Sequence, residues 1–401
     1  MNARVVITGI GICSPIGTGA DAFTAGLESG CRGIGTITHY DAAGYPIAYA
    51  AEAKDEGKVF RFPPEVDRKE RFMREAFCQL FTSGRSLHSY LPEDRLLNLG
   101  TGIDYFDIEG YVNSGDAASG RWPEHCKRSL KIARDLAEEF DLRGGFTVNL
   151  SACVASTQAL GLSFRMLKQL TGKAVVTGGA DSMLNPLSYM GFYKLGAFSQ
   201  WKGEPGRSCR PFDRNRCGLV IGEGAAAFLM QRLEDADPST IKAEIAGYAS
   251  TMDSYMITDP QPEGAALATA ALEAIEAAGI TPEEIDCAHL HETGTLKNAP
   301  AEAKAMQKIF GKRFSEIPVF SLKGQTGHLI GACGAIEVVA AVHSLRTQTV
   351  LPTVNFEEPD DEVPLRVVRD TPLHHKIEYL LKLNSAFGGQ NAALVLKRYH
   401  A

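Results

Sequence analysis

Cys153, His291, His328 and Lys323 combine reactive side chains with positions a fold can exploit. Cys153 follows the apolar run Phe146 to Leu150 and begins a stretch of helical spacing that reaches Leu170. A sulfur at such a junction faces free backbone N–H groups and the positive end of the helix dipole. Both favour thiolate over thiol, so a depressed thiol pKa is expected. The same N–H groups can hold an oxyanion. The plain alternative is a buried, inert cysteine. His291 ends the run Ile285 to Leu290 and enters the turn Glu292-Thr293-Gly294-Thr295. His328 sits in Thr326-Gly327-His328, with Lys323 upstream. A single histidine in a turn is usually only a satisfied polar residue. Two of them with a lysine and a helix-opening cysteine, all at strand-to-loop junctions, point to nucleophilic catalysis. Spacing alone leaves a Cys–His hydrolase open.

The elements that must position these residues alternate. Val5 to Ile12 reads as a strand, Lys69 to Leu87 as a helix, and Lys127 to Phe140 as an amphipathic helix with Leu130, Ile132, Ala133 and Leu136 on its apolar side. Phe146 to Leu150, Ala174 to Thr177 and Ala225 to Met230 read as strands. A polar stretch with Pro238 follows, and the alternation then restarts. Ile241 to Tyr248 is a strand, Gly264 to Ala278 a helix, Ile285 to Leu290 and Val319 to Ser321 strands, Gly331 to Leu345 a small-residue helix, and Tyr379 to Leu383 and Ala392 to Lys397 strands. Two α/β halves are expected, 1–238 carrying the cysteine and 239–401 carrying both histidines. They echo each other in two helices that open with small residues, Ser151-Ala152-Cys153-Val154-Ala155-Ser156 and Gly331-Ala332-Cys333-Gly334-Ala335. Helices of that kind can pack backbone to backbone in the centre of a molecule.

Composition excludes several other classes. The chain has 401 residues, 44% of them hydrophobic, enough for a large core. A net charge of -7 argues against a nucleic-acid surface. The nine cysteines are odd in number and include no C-x-x-C pair, so neither a disulfide framework nor a zinc site is expected and a reducing, cytoplasmic setting is. The N-terminus has no signal-peptide pattern. No run reaches the roughly 18 apolar residues of a membrane span.

Several segments, in order along nearly the whole chain, resemble the β-ketoacyl synthase family. They are Ser151 to Thr157 around the cysteine, Gly178-Gly179-Ala180-Asp181, Arg210-Pro211-Phe212-Asp213 through Gly222-Glu223-Gly224, His291 to Thr295, Ser321 to His328, Leu351 to Asn355, and Asn384 to Asn391. The resemblance implies a thiolase-like, pseudo-duplicated five-layer α-β-α-β-α fold and a decarboxylative Claisen condensation. Cys153 would hold an acyl group, the N–H groups of Cys153 and Phe387 would form the oxyanion hole, and His291 and His328 would stabilise the enolate of a malonyl thioester. Lys323 would support the site, with Glu302 as its acidic partner, although Glu302 also reads as an ordinary exposed helix residue. Thr293, Thr295, Gly388 and Gly389 would be supporting residues. No cofactor or metal is implied, because substrates ride on the phosphopantetheine of an acyl carrier protein. The partners implied are that carrier and a second synthase-like chain, either a copy of itself or a chain-length-factor-like homologue. A thiolase, the nearest alternative, would need a further cysteine after Cys333, and none is present.

The chain departs from the family pattern at Glu292, Ala299, Cys217 and Ser385, and over Asp104 to Arg121. Ser385 replaces a bulky gate, so acyl selectivity is expected to differ; Tyr105 and Phe106 are the side chains that could fill the gap. Arg68, Lys69, Arg71 and Arg74 form a basic run that could dock an acidic carrier, although the interleaved acids favour an ordinary solvated face.

Overall fold

The computed structural model describes residues 3–62, 67–82, 87–103, 128–169 and 171–400. The unusual stretch Asp104 to Arg121, with Tyr105 and Phe106, lies outside the described residues.

Two sets of strands carry the fold. The first comprises β1 (Val5–Ser14), β2 (Arg95–Thr101), β3 (Phe146–Leu150), β4 (Ala174–Ser182) and β5 (Glu223–Arg232). The second comprises β6 (Ala243–Met252), β7 (Cys287–His289), β8 (Pro318–Phe320), β9 (Tyr379–Ser385) and β10 (Gln390–Lys397). Their hydrogen-bonded orders are β3-β2-β4-β5-β1 and β8-β7-β9-β10-β6. Both read third, second, fourth, fifth, first. Their directions also match: the first two pairings in each are parallel and the last two antiparallel. β1 and β6 pair antiparallel, with Val5 opposite Ile245, and join the two sets. The duplication suggested by the small-residue helices is therefore present in the topology.

Apolar packing stacks the layers. α1 (Arg68–Thr82) and α2 (Arg128–Glu139) cover one sheet, with Phe72, Phe77, Ile132 and Leu136 against Leu97 and Val176. α4 (Ala265–Ala277) and α5 (Asn298–Phe310) cover the other, with Ala271, Ile275 and Met306 against Ala288 and Leu381. Between the sheets lie α3 (Ala155–Lys168) and α6 (Cys333–Thr347), whose Leu160 and Ile336 share one core with Phe228 and Leu380. This is the expected five-layer arrangement. Contrary to the expectation that no run is long enough, Ile330–Thr347 has the length and mean hydropathy of a membrane span despite Glu337 and Arg346, yet most of it is buried between the sheets as the core helix.

Several local expectations change. Leu130 is exposed rather than packed on the apolar side of α2. β4 runs through Gly178-Gly179 to Ser182, because β5 and β2 hydrogen-bond it on either side. The helix expected from Cys153 begins at Ala155, after a 3-10 turn over Ala152–Val154.

Close packing of α3 on α6 depends on Gly334. A Cβ there would lie 1.9 Å from Thr157 Oγ1 and 2.9 Å from the Thr157 backbone nitrogen. Gly334→Ala is therefore expected to cost about 1–3 kcal/mol through overpacking. Gly191→Ala, exposed in the helix Pro186–Lys194 with nothing within 4 Å of the new Cβ, should be neutral or stabilising. Urea titration of both variants checks the contrast.

Candidate active site

The strand β3 hands the chain to Ser151 and the 3-10 turn that carries Cys153. Ala152, at φ 49, sits in the left-handed region, and its N–H donates to Gly102 O at 3.2 Å. A non-glycine residue there costs of order 1 kcal/mol or more, so the surrounding structure imposes this turn. The second half repeats the device. Ile330, at φ 47, opens the turn Ile330–Ala332 before α6. In that register Gly331, not Cys333, is the counterpart of Cys153.

The structure brings the cysteine and both histidines together. Cys153 Sγ and ring nitrogens of His291 and His328 all lie within 4.8 Å of one another, and all three residues are buried. His328 Nε2 is 3.0 Å from Cys153 Sγ, and the Phe387 backbone N–H faces the same sulfur. The two imidazoles meet edge to face with centroids 5.2 Å apart.

Electrostatics overturns the expectation of a resting thiolate. Burial pushes the Cys153 thiol up to about 12, and Lys323 and the Phe387 N–H offset only part of that rise. The sulfur lies inside a single 3-10 turn, with no cation in contact among the described residues, so the cost of desolvating an anion exceeds what the helix end supplies. Burial acts on the histidines in the opposite sense. With Lys323 it lowers His328 to about 3 and holds His291 well below the ordinary imidazole value. Both rings are neutral.

The proton of His291 can be placed. Its Nδ1 accepts from the Asn384 amide at 3.0 Å and faces Lys323 Nζ at 3.5 Å. The Asn384 amide is itself oriented, since Oδ1 accepts from Thr157 Oγ1 at 2.7 Å and Nδ2 donates to Glu337 Oε2 at 2.8 Å. With donors at Nδ1, the ring carries its hydrogen on Nε2. That makes His291 a hydrogen-bond donor, whereas a metal would need the bare nitrogen. Two neutral histidines around a thiol suit an oxygen that gains negative charge.

Lys323 donates to the His291 carbonyl and forms an ion pair with Glu337, not with Glu302. Burial works against the ammonium, but Glu337, together with Cys333 and Glu302, more than offsets it and raises the lysine above its usual value. Glu337 also takes Lys382 Nζ at 2.9 Å. Glu302 is buried rather than exposed, and it has a different task. It accepts the backbone N–H groups of His291 and Glu292 at 2.7 and 2.8 Å, fixing the loop that carries the histidine. Burial and the neighbouring Glu292 push it up to about 8. Glu292 folds back to accept from Gly294 N at 3.0 Å and Asn298 Nδ2 at 2.8 Å, so this departure stiffens the same turn. Ala299 is buried in α5.

A cavity of about 340 Å³ reaches this cluster, lined by Cys153, both histidines, Thr293, Thr295 and Phe387. The hydroxyls of Thr293 and Thr295 are 3.0 Å apart. Two of the departures, Cys217 and Ser385, line the same cavity, and Ser385 Oγ donates to Asn391 Oδ1 at 2.9 Å. The Phe387 turn is held by Gly388, whose N–H donates to Ile257 O at 2.7 Å. Gly389, at φ 80, completes it, and a Cβ there would fall 2.2 Å from Asp253 Oδ1.

The basic run does not form a patch. Arg68 turns inward to Glu223, Lys69 is buried with Nζ 3.0 Å from Ile103 O, and Arg74 pairs with Glu70 and Glu139. Arg71 is exposed. The other three side chains have partners within the chain.

The layered fold and the buried Cys–His–His cluster define a thiolase-like acyl-transfer enzyme. The chain belongs to the β-ketoacyl synthase family. Residues 2–236 match the family model described as "Beta-ketoacyl synthase, N-terminal domain", and residues 242–357 match "Beta-ketoacyl synthase, C-terminal domain". It is 32% identical over 410 residues, 99% of the chain and 98% of the relative, to a 3-oxoacyl-[acyl-carrier-protein] synthase 2 of Synechocystis sp.. It is 31% identical, over 99% and 98%, to a putative polyketide beta-ketoacyl synthase 1 of Streptomyces cyaneus. Among solved structures, a type II polyketide ketosynthase in complex with its acyl-carrier protein superposes with a TM-score of 0.89 at 25% identity, covering 100% of both chains. The ishigamide ketosynthase/chain length factor does so with 0.87 at 27%, again over 100% of both. The protein is an acyltransferase of the 3-oxoacyl-[acyl-carrier-protein] synthase type, of fatty-acid or type II polyketide synthesis.

With the thiol at about 12, the thiolate fraction rises tenfold per pH unit through the whole working range. Iodoacetamide modification of Cys153, followed by peptide mass mapping, should accelerate steadily from about pH 7 to about pH 10. A plateau below about pH 8 would show a thiolate already formed.

Proposed function

We propose that Cys153 takes an acyl chain from the phosphopantetheine of an acyl carrier protein and condenses it with a malonyl thioester. In the first half, Cys153 loses its proton toward His328 Nε2 as the sulfur attacks the acyl carbonyl, and the carrier thiol leaves with a proton. The backbone N–H groups of Cys153 and Phe387 receive the tetrahedral oxyanion. In the second half, His291 and His328 donate to the malonyl thioester oxygen, carbon dioxide leaves, and the enolate carbon attacks the acyl carbonyl. Cys153 is then released as the leaving group. Thr293 and Thr295, on the cavity wall, would hold the carrier's pantetheine arm. The observation that carries this reading is the donor state of His291, fixed by Asn384 and Lys323 within reach of the sulfur. The setting proposed for this reaction is a reducing, cytoplasmic one, on the odd cysteine count without a C-x-x-C pair.

Intact-mass analysis tests the first half and carbon dioxide release the second. Cys153→Ala should retain no acyl group. His291→Ala should acylate but release carbon dioxide about 100-fold more slowly, as for loss of one oxyanion donor. An acyl group mapped to another cysteine, or wild-type carbon dioxide release from His291→Ala, would remove the assigned roles.

A second chain belongs in this reading. β3 is an edge strand with Phe146 and Leu150 exposed, and an apolar edge of this kind invites pairing. The partner would be a copy of the chain, or a chain-length-factor-like homologue of the kind named in the ishigamide structure. Light scattering at micromolar concentration should show a dimer, of the chain alone or with such a homologue, that Phe146→Lys weakens. A stable, fully active monomer would count against both forms.

A further inference from the structure

His328 stands between two sulfurs. Its Nε2 lies 3.0 Å from Cys153 Sγ and its Nδ1 2.8 Å from Cys333 Sγ. Cys333 is the one hydrogen-bond partner of Nδ1 among the described residues. It opens α6 and is buried. Burial holds its thiol well above the usual range, so it keeps its S–H. The condensation assigned above uses Cys153 and leaves this second thiol unexplained.

A neutral imidazole carries one ring hydrogen, and a thiol can either donate or accept. In the free enzyme, Cys153 S–H can donate to Nε2 while Nδ1–H donates to Cys333. Acylation removes the S–H of Cys153. For His328 then to donate into the cavity, its hydrogen must sit on Nε2, and the lone pair on Nδ1 must be satisfied inside a dry core. Cys333 S–H can satisfy it by rotating about its Cβ–S bond. We propose that Cys333 is a positioning residue that fixes His328 in the Nε2–H tautomer once Cys153 is acylated, aiming that N–H at the thioester oxygen of the malonyl group. The proposal rests on the role of His328 given above. The change is a tautomerisation: one N–H bond breaks at Nδ1 and one forms at Nε2, the proton passing through cavity water so that the ring keeps a single hydrogen, and the hydrogen bond to Cys333 decides which tautomer is populated.

Cys333→Ala leaves the Nδ1 lone pair unsatisfied, and Cys333→Ser keeps a group that both donates and accepts. On the acylated protein, Cys333→Ala should slow carbon dioxide release from a malonyl carrier thioester about 10-fold, as for a buried hydrogen bond lost. Cys153 acylation, in which His328 Nδ1–H loses only a weak thiol acceptor, should slow less than carbon dioxide release, and Cys333→Ser should recover most of the loss. NMR of the imidazole nitrogens should show His328 as Nε2–H in the wild-type acyl-enzyme and as a tautomer mixture in Cys333→Ala. Wild-type carbon dioxide release by Cys333→Ala overturns the proposal. So does equal slowing by the serine and alanine variants, which would indicate a packing effect, or an Nδ1–H tautomer in the wild-type acyl-enzyme. His328→Ala separates the layers of the argument. If it releases carbon dioxide at the wild-type rate, the role of His328 itself fails; if it is inactive while Cys333→Ala is normal, only the role of Cys333 fails.

Discussion

Everything in the site leans on one buried carboxylate. Glu337 lies in the middle of the central helix, fully enclosed, with Lys323 and Lys382 on its two oxygens and the Asn384 amide beside them. Charges this deep are tolerable only when paired, and removing one partner of such a pair typically costs about 3–5 kcal/mol. The pairing fixes Lys323 against the His291 carbonyl and fixes Asn384 against His291 Nδ1. Cys333, which touches His328, lies four residues before Glu337 on the same helix. Residues so spaced share a helix face, so one face of α6 serves both catalytic histidines.

The same enclosure has opposite effects on the two kinds of group it surrounds. Desolvation disfavours every charged form, so it raises the thiol and depresses the imidazoles. The site thereby gains two neutral donors where negative charge will develop. The cost is a nucleophile that must lose its proton during attack rather than beforehand. His328, 3.0 Å from the sulfur, is placed to receive it. Lys323 lowers both the thiol and the imidazoles, so it eases the cost and reinforces the gain at once.

The catalytic set was legible because its side chains sit at strand-to-loop junctions, where sequence motifs are local. The alternation of elements and the paired small-residue helices gave the duplicated architecture, and the identical strand orders bear it out. What stayed hidden was chiefly partnership across the fold. Glu302 reads as the mate of Lys323 from its place after the histidine motif, yet it binds backbone, and the mate comes from the neighbouring helix. A signal for that mate was present: Glu337 is a lone charge among Ile336, Val338 and Val339, and Lys382 a lone charge among Leu380, Leu381 and Leu383. A charge in a run that must be buried needs an opposite charge nearby. The partners of the basic run were hidden for a related reason, because alternation of sign along α1 does not reveal that Arg68 reaches Glu223. β2 is buried along its whole length and so lacks the polar alternation that would have marked it.

The central claim is that the fold holds His291 as a neutral donor with its hydrogen on Nε2. NMR of selectively labelled histidine nitrogens in the resting enzyme reads this directly, with His291→Gln providing the assignment. The account predicts a neutral Nε2–H ring that does not titrate between about pH 5 and about pH 9. A ring that protonates near the ordinary imidazole value of about 6.5, or that carries its hydrogen on Nδ1, would contradict it.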